Sequence, residues 1–184
     1  MRNTQGFTLV EVLVVIVVIA AIVSISGVNT GSDPRDNFVK AESTRLKFYM
    51  ESLTDDAILN SKNIGIHFTP SGANPYQWQK AIPKENENNI KEEWEWSPLQ
   101  SNRIDKLVFQ NEIKLKLYIN ESEIILSTST ETEKTITPHV IIQSSGIQTL
   151  ANLNISIDDY NKSIFVKGNG AGRYKVEGLT DEFQ

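Results

Sequence analysis

The stretch from Phe7 to Val28 holds 22 residues with no proline and a single charge, Glu11. As a helix it would run about 33 Å, close to the hydrocarbon thickness of a bilayer. The segment therefore calls for lipid or for other helices around it. The preceding MRNTQG carries Arg2 and the initiating amine, which by the positive-inside rule stays cytoplasmic and sends the bulk of the chain across. Glu11 is the anomaly: a charge deep in a bilayer costs about 2.5–3.5 kcal/mol, so its presence argues for a task. A secretory signal peptide would have a shorter apolar core. Ser24-Ile25-Ser26 could supply its small-x-small cleavage site, but an acid inside the apolar region does not suit it. A plain anchor explains the length and leaves Glu11 without a role.

Beyond that segment roughly 150 residues remain, enough for one domain with a core of its own. The net charge is −5 and Lys and Arg do not cluster, whereas a nucleic-acid binder needs a basic face. With no cysteine in the chain, disulfides, thiolate nucleophiles and cysteine metal sites are excluded. His67 and His139, the two histidines, leave little material for a general base or a metal site. No cluster of acids, histidines and nucleophiles can be assembled for a membrane-tethered enzyme, and no cofactor is expected.

The stretch SGVNTGSDPRDNF breaks the apolar helix, and Asp33-Pro34 reads as an N-cap followed by proline at the first helical position. From Pro34 to about Ser61, Val39, Leu46, Tyr49, Met50, Leu53 and Ala57 recur at helical spacing. Lys40, Glu42, Arg45, Lys47, Glu51 and Asp55 lie largely off that face. After Asn63 the pattern turns to short strands: GIHFT, YQWQKAI, KLVFQ, IKLKLYI, EIILST, HVIIQS, LNISI, SIFVKG and RYKVEGL. PSGANP, NES, SSG, DDYNKS and GNGAG read as turns between them. One helix followed by many strands predicts an α+β fold, the helix packed on antiparallel sheets.

Lys84 to Arg103 reads as a long polar loop. It carries Trp94 and Trp96, which form either a partner-binding patch or a satellite cluster pinning the loop to the sheet. Asp158, Asp159 and Asn161 match no calcium loop and read as a tight turn. Ser144-Ser145-Gly146 lacks the surroundings of a nucleophile elbow and reads as a hairpin turn. GNGAGR lacks the context of a phosphate loop and is also a turn, while His67 alternates onto the polar face of its strand.

The run GFTLVE, behind a short basic leader ending in Gly6, resembles the processing signal of type IV pilins and pseudopilins. That resemblance implies cleavage by a prepilin peptidase between Gly6 and Phe7, methylation of the new Phe7 amine, and pairing of Glu11 with the N-terminal amine of a neighbouring subunit. It divides the chain into a leader (1–6), a transmembrane and fibre-core helix (7–28), an amphipathic helix (29–62) and a periplasmic sheet domain (63–184). AESTRLKFYMESLTDDAILNSKNIGIHF and PHVIIQSSGIQT are similar to the helix-to-strand passage and a later turn of the GspH/FimT group. Within it, the long insert and the acidic balance resemble minor pseudopilin H of type II secretion. The implied role is that of a structural subunit linking a tip complex to the major pseudopilin in a periplasmic pseudopilus, with no catalysis. The expected partners are other pseudopilins, the prepilin peptidase and the inner membrane, and no nucleic acid. The alternative is a FimT-like minor pilin of a pilus or DNA-uptake system, which a basic surface stripe would favour.

Overall fold

The structure, a computed structural model, describes residues 9–26, 33–80, 94–110, 112–127 and 136–181. The chain divides into two compact units, residues 1–34 and 35–184. The first contains α1 (Leu9–Ser26), in which every side chain from Leu9 to Ala20 is exposed. Val12 to Ile19 are each 49–61% accessible, so the helix offers apolar surface in all directions. Its 18 residues correspond to about 27 Å, and among the described residues no helix is long and apolar enough to cross a membrane. Phe7, Val28 and the leader lie outside the described residues.

The second unit is built around α2 (Pro34–Leu59). Asp33 precedes Pro34, as expected for a cap-and-proline start. The helix ends two residues before the expected Ser61, in a Schellman closure. Ser61 is left-handed (φ 51°), its N–H donates to the Ile58 carbonyl at 3.3 Å, and the Lys62 N–H reaches the Ala57 carbonyl at 2.9 Å. The strands are β1 (Ile64–Thr69), β2 (Gly72–Lys80), β3 (Trp94–Pro98), β4 (Leu107–Val108), β5 (Ile113–Ile119), β6 (Ser122–Ile124), β7 (Val140–Ile142), β8 (Ala151–Ile157), β9 (Lys162–Gly168) and β10 (Tyr174–Asp181). One antiparallel sheet runs β3-β2-β1-β7, with β4 also beside β2; the other runs β10-β9-β8-β5-β6. The α+β expectation holds.

Alternation decides which faces meet. In β5 the pattern Ile113, Leu115, Leu117 is buried while Lys114 and Lys116 are exposed. These residues join Leu153, Ile155, Ile164 and Val166 from the second sheet and Ile64, Ile66, Phe68, Val140 and Ile142 from the first. Together they form one core with Val39, Leu46, Met50, Leu53 and Ala57 of α2. Each such buried side chain contributes about 1.5–3 kcal/mol. Polar ties fix the helix in its first turn and again past its middle. The Tyr160 hydroxyl donates to Asp36 in the first turn, and the Tyr174 N–H donates to Glu51 at 3.1 Å. Gly172, left-handed at φ 80°, lies so close to Thr54 of α2 that a side chain there would overlap the threonine methyl.

Four expectations are corrected. Glu42 is not on the solvated side: it is 7% exposed, paired with Arg45 at 2.9 Å, and Arg45 donates a second bond to the Val108 carbonyl at 3.0 Å. PSGANP is not wholly a turn. The turn is Pro70-Ser71, and Gly72 to Pro75 already belong to β2. Pro75 is tolerated there because it falls between the stretches of β2 that pair with β4 and with β3. EIILST is a strand only at Ser122–Ile124, after which Leu126 turns toward the core and leaves Ile125 92% exposed. Lys84–Arg103 is not all loop, since Trp94–Pro98 forms β3; residues 81–93 lie outside the described residues.

Leu53→Ala removes a side chain with no exposed surface where α2 meets the sheets. A loss of about 3 kcal/mol is expected in thermal unfolding followed by tryptophan fluorescence. A loss below about 1 kcal/mol would contradict the shared core.

Candidate functional site

Among the described residues no group of three or more His, Asp or Glu is placed to hold a metal ion. A groove of about 190 Å³ beside Asn74, Tyr76, Leu99 and Asp105 is smaller than usual ligand sites. Asp158 and Asp159 form the turn between β8 and β9, with Asp159 left-handed at φ 57° and Asp158 paired with Lys114. Ser144–Gly146 is a hairpin turn, closed by the Gly146 N–H on the Gln143 carbonyl at 2.8 Å. In the GNGAGR turn the Asn169 side chain accepts the Ala171 and Arg173 N–H groups, at 2.9 and 3.1 Å.

Two surfaces stand out instead. The first is α1, with Glu11 in its opening turn, where the helix dipole favours an acid. Gly6 and Phe7 lie outside the described residues. The second is the face of the first sheet turned away from α2. Trp78 on β2 is the register partner of Trp96 on β3, and Lys80 is that of Trp94. Strand alternation therefore sets all three indoles on one face. Trp78 and Trp96 meet at 5.0 Å between centroids, tilted by 56°; Trp78 and Trp94 lie at 6.4 Å and nearly parallel. The two tryptophans differ in setting. Trp94 is 50% exposed, whereas Trp96 lies over Gly65 of β1, where an added Cβ would come within 2.8 Å of its ring.

The histidines share this face. His67 on β1 and His139, just before β7, stack with centroids 4.5 Å apart. Their pairing joins residues about 70 positions apart and follows from β7 adding to the far edge of β1, which no local pattern announces. Alternation of GIHFT put His67 on the outer face; a strand starting at His139 is the clue that could have supplied its neighbour.

The outer face of the second sheet tests the basic-stripe idea. Lys114, Lys116, Lys167 and Lys175 share it with Tyr118 and Phe165. Carboxylates are interleaved: Asp158 pairs with Lys114, and Glu177 faces Lys167 at 2.7 Å and Lys175 at 3.9 Å. The lysines hold the Glu177 carboxyl below its usual range, the hydrogen bond from Lys167 contributing most. The face is mixed in charge.

The profile of the prokaryotic N-terminal methylation motif matches residues 1–27. Type II secretion system protein H of Pseudomonas aeruginosa is 33% identical over 66 residues, covering 36% of this chain and 38% of that protein. The protein of the same name in Escherichia coli is 27% identical over 107 residues, 58% of each chain. The chain thus spans less than two thirds of the length of either. In fold it is similar to the minor pseudopilin EpsH of Vibrio cholerae (TM-score 0.54, 14% identity, 79% of this chain and 97% of that one). It is likewise similar to E. coli GspH in solution (TM-score 0.51, 19% identity, 83% and 95%). At these identities the likeness is one of fold. The chain joins a prokaryotic N-terminal methylation motif to a fold similar to that of solved minor pseudopilins.

Gly65→Ala is expected to displace both Pro138 and Trp96 and cost about 2 kcal/mol, with a shift in tryptophan emission. Trp94→Ala, at a half-exposed site, should cost about 0.5 kcal/mol or less by thermal unfolding. Equal losses from the two changes would contradict this division of Trp96 as anchor and Trp94 as free surface.

Proposed function

We propose that this chain is a minor pseudopilin of a type II secretion system, a structural subunit rather than an enzyme, needing no cofactor. The observation that carries the reading is the coincidence of two independent features. A methylation motif covers residues 1–27, and the pseudopilin fold aligns over nearly all of the solved minor pseudopilin chains. In this reading prepilin peptidase cleaves between Gly6 and Phe7 and the new amine of Phe7 is methylated. The mature chain waits in the inner membrane as a single-pass protein, its N-terminus cytoplasmic and its sheet domain periplasmic.

The physics of α1 supports the step that follows. A helix with apolar side chains exposed all round can be covered by lipid or by like helices, at similar free energy, so it can leave one for the other. Glu11 adds what packing alone lacks, a definite axial position. Its carboxylate pairs with the N-terminal amine of a neighbouring subunit, and two charges that would each be costly in a dry environment neutralise one another. The sheet domain faces outward and links a tip complex to the major pseudopilin, with Trp94, backed by Trp96, as a contact patch. The mixed charge of the second sheet gives no support to a DNA-uptake pilin, the alternative reading.

Intact-mass measurement of the protein extracted from membranes should find a chain beginning at methylated Phe7. Any other start, in a host with active peptidase, overturns the processing. Glu11→Ala should leave cleavage intact while incorporation and secretion fall at least tenfold. Normal incorporation would remove Glu11 from the mechanism.

A further inference from the structure

We propose that the His67–His139 stack is an acid-released latch that fastens the segment entering β7 to the edge of β1. The hydrogen bonds around the two rings leave no choice of tautomer. The Phe68 N–H can only donate, and it lies 3.0 Å from His139 Nδ1, so that nitrogen carries a lone pair and the ring's proton is on Nε2. The Thr137 carbonyl can only accept, and it lies 3.2 Å from His67 Nδ1, so that nitrogen bears the proton. Each ring thus makes one directed bond to the opposite strand. A backbone bond from the His139 N–H to the Ile66 carbonyl, at 2.9 Å, completes the joint. The named β1–β7 pairing stops at Ile66↔Val140, and beyond it the Phe68 amide is held by the His139 ring.

A proton arriving at His139 has one place to go, Nδ1. Taking it turns the acceptor of the Phe68 N–H into a donor facing a donor, and the bond is lost. It also sets a cation against the face of the His67 ring at 4.5 Å. A second proton, on His67 Nε2, would make the stacked rings two like charges. Among the described residues, Asn74, the register partner of His67 on β2, and Thr137 are uncharged, while Asp105 and Lys106, of opposite sign, line the groove beside Asn74. Burial first, and His67 second, hold His139 below the ordinary histidine value of about 6.5. The sign follows. The closed joint favours neutral His139, the opened one binds a proton at the ordinary value, and so acid favours opening progressively as pH falls below about 6.5. The latch is closed above that value. It is a property of this sheet and does not depend on the secretion role.

The full chain in detergent micelles, labelled with 15N, allows a direct test. At pH 7.5 multiple-bond imidazole spectra should show His139 protonated at Nε2 and His67 at Nδ1; the opposite tautomers would overturn the proposal. Hydrogen-exchange protection of the Phe68 amide, corrected for intrinsic rates, should fall at least tenfold between pH 7.5 and pH 5, while that of Ile155 in the second sheet changes less than twofold. His139→Asn places a non-titrating carbonyl acceptor near Nδ1, and should keep Phe68 protection level across that range. Constant Phe68 protection in the unmodified chain, or an equal pH-dependent loss in His139→Asn, would refute the latch.

Discussion

The sheet domain depends on a single constraint: one helix has to cover the inner faces of two separate sheets. Val39, Leu46, Met50, Leu53 and Ala57 of α2 lie in the same cluster as residues from both. Within the second unit α2 is the one helix among the described residues. The rest of the arrangement follows from this shared helix. Polar side chains that fall on its buried side must find partners, as Glu42 does in Arg45 and Asp36 in Tyr160 and Lys162. Turns that come down on it must be thin, as Gly172 is beside Thr54.

The same constraint separates the surfaces by use. With their inner faces committed to α2, both sheets present outer faces that carry distinct chemistry. The second sheet alternates lysines with small polar residues and carboxylates, a face that water solvates well. The first gathers three indoles, two imidazoles and Pro138 on one side, a concentration of ring surface. Gly65 makes this possible by leaving room for Trp96 against the backbone of β1.

Much of this was legible in the sequence wherever the signal is local. The stripe of α2, the alternation in IKLKLYI and the turn chemistry of Asp158-Asp159 and Gly168–Arg173 each depend on residues within a few positions of one another. The N-terminal motif was legible for the same reason. What escaped depends on distant partners. β3 was hidden because WEWSP follows a long polar run, and only its pairing with Trp78 and its neighbours makes it a strand. Glu42 looked like surface because its burial is permitted by Arg45, which is itself steered by the Val108 carbonyl. The histidine pair needed the register of β7 against β1. The roles proposed for Glu11 and for Gly6-Phe7 depend on a second protein, which no single-chain geometry contains.

The chain crosses between the sheets after β4, after β6 and after β7, so the first sheet is completed by a strand that comes late. The bond from Phe68 to His139 spans 71 residues. A chain made from its N-terminus therefore holds β1 and β2 for some time with one edge of β1 open and its inner face uncovered on that side. Such an edge pairs with whatever extended segment is at hand. The wait is set by topology rather than by stability, because non-local strand pairing is the slow part of folding. Any factor that shields this edge during synthesis would raise the yield of native protein without touching the finished fold.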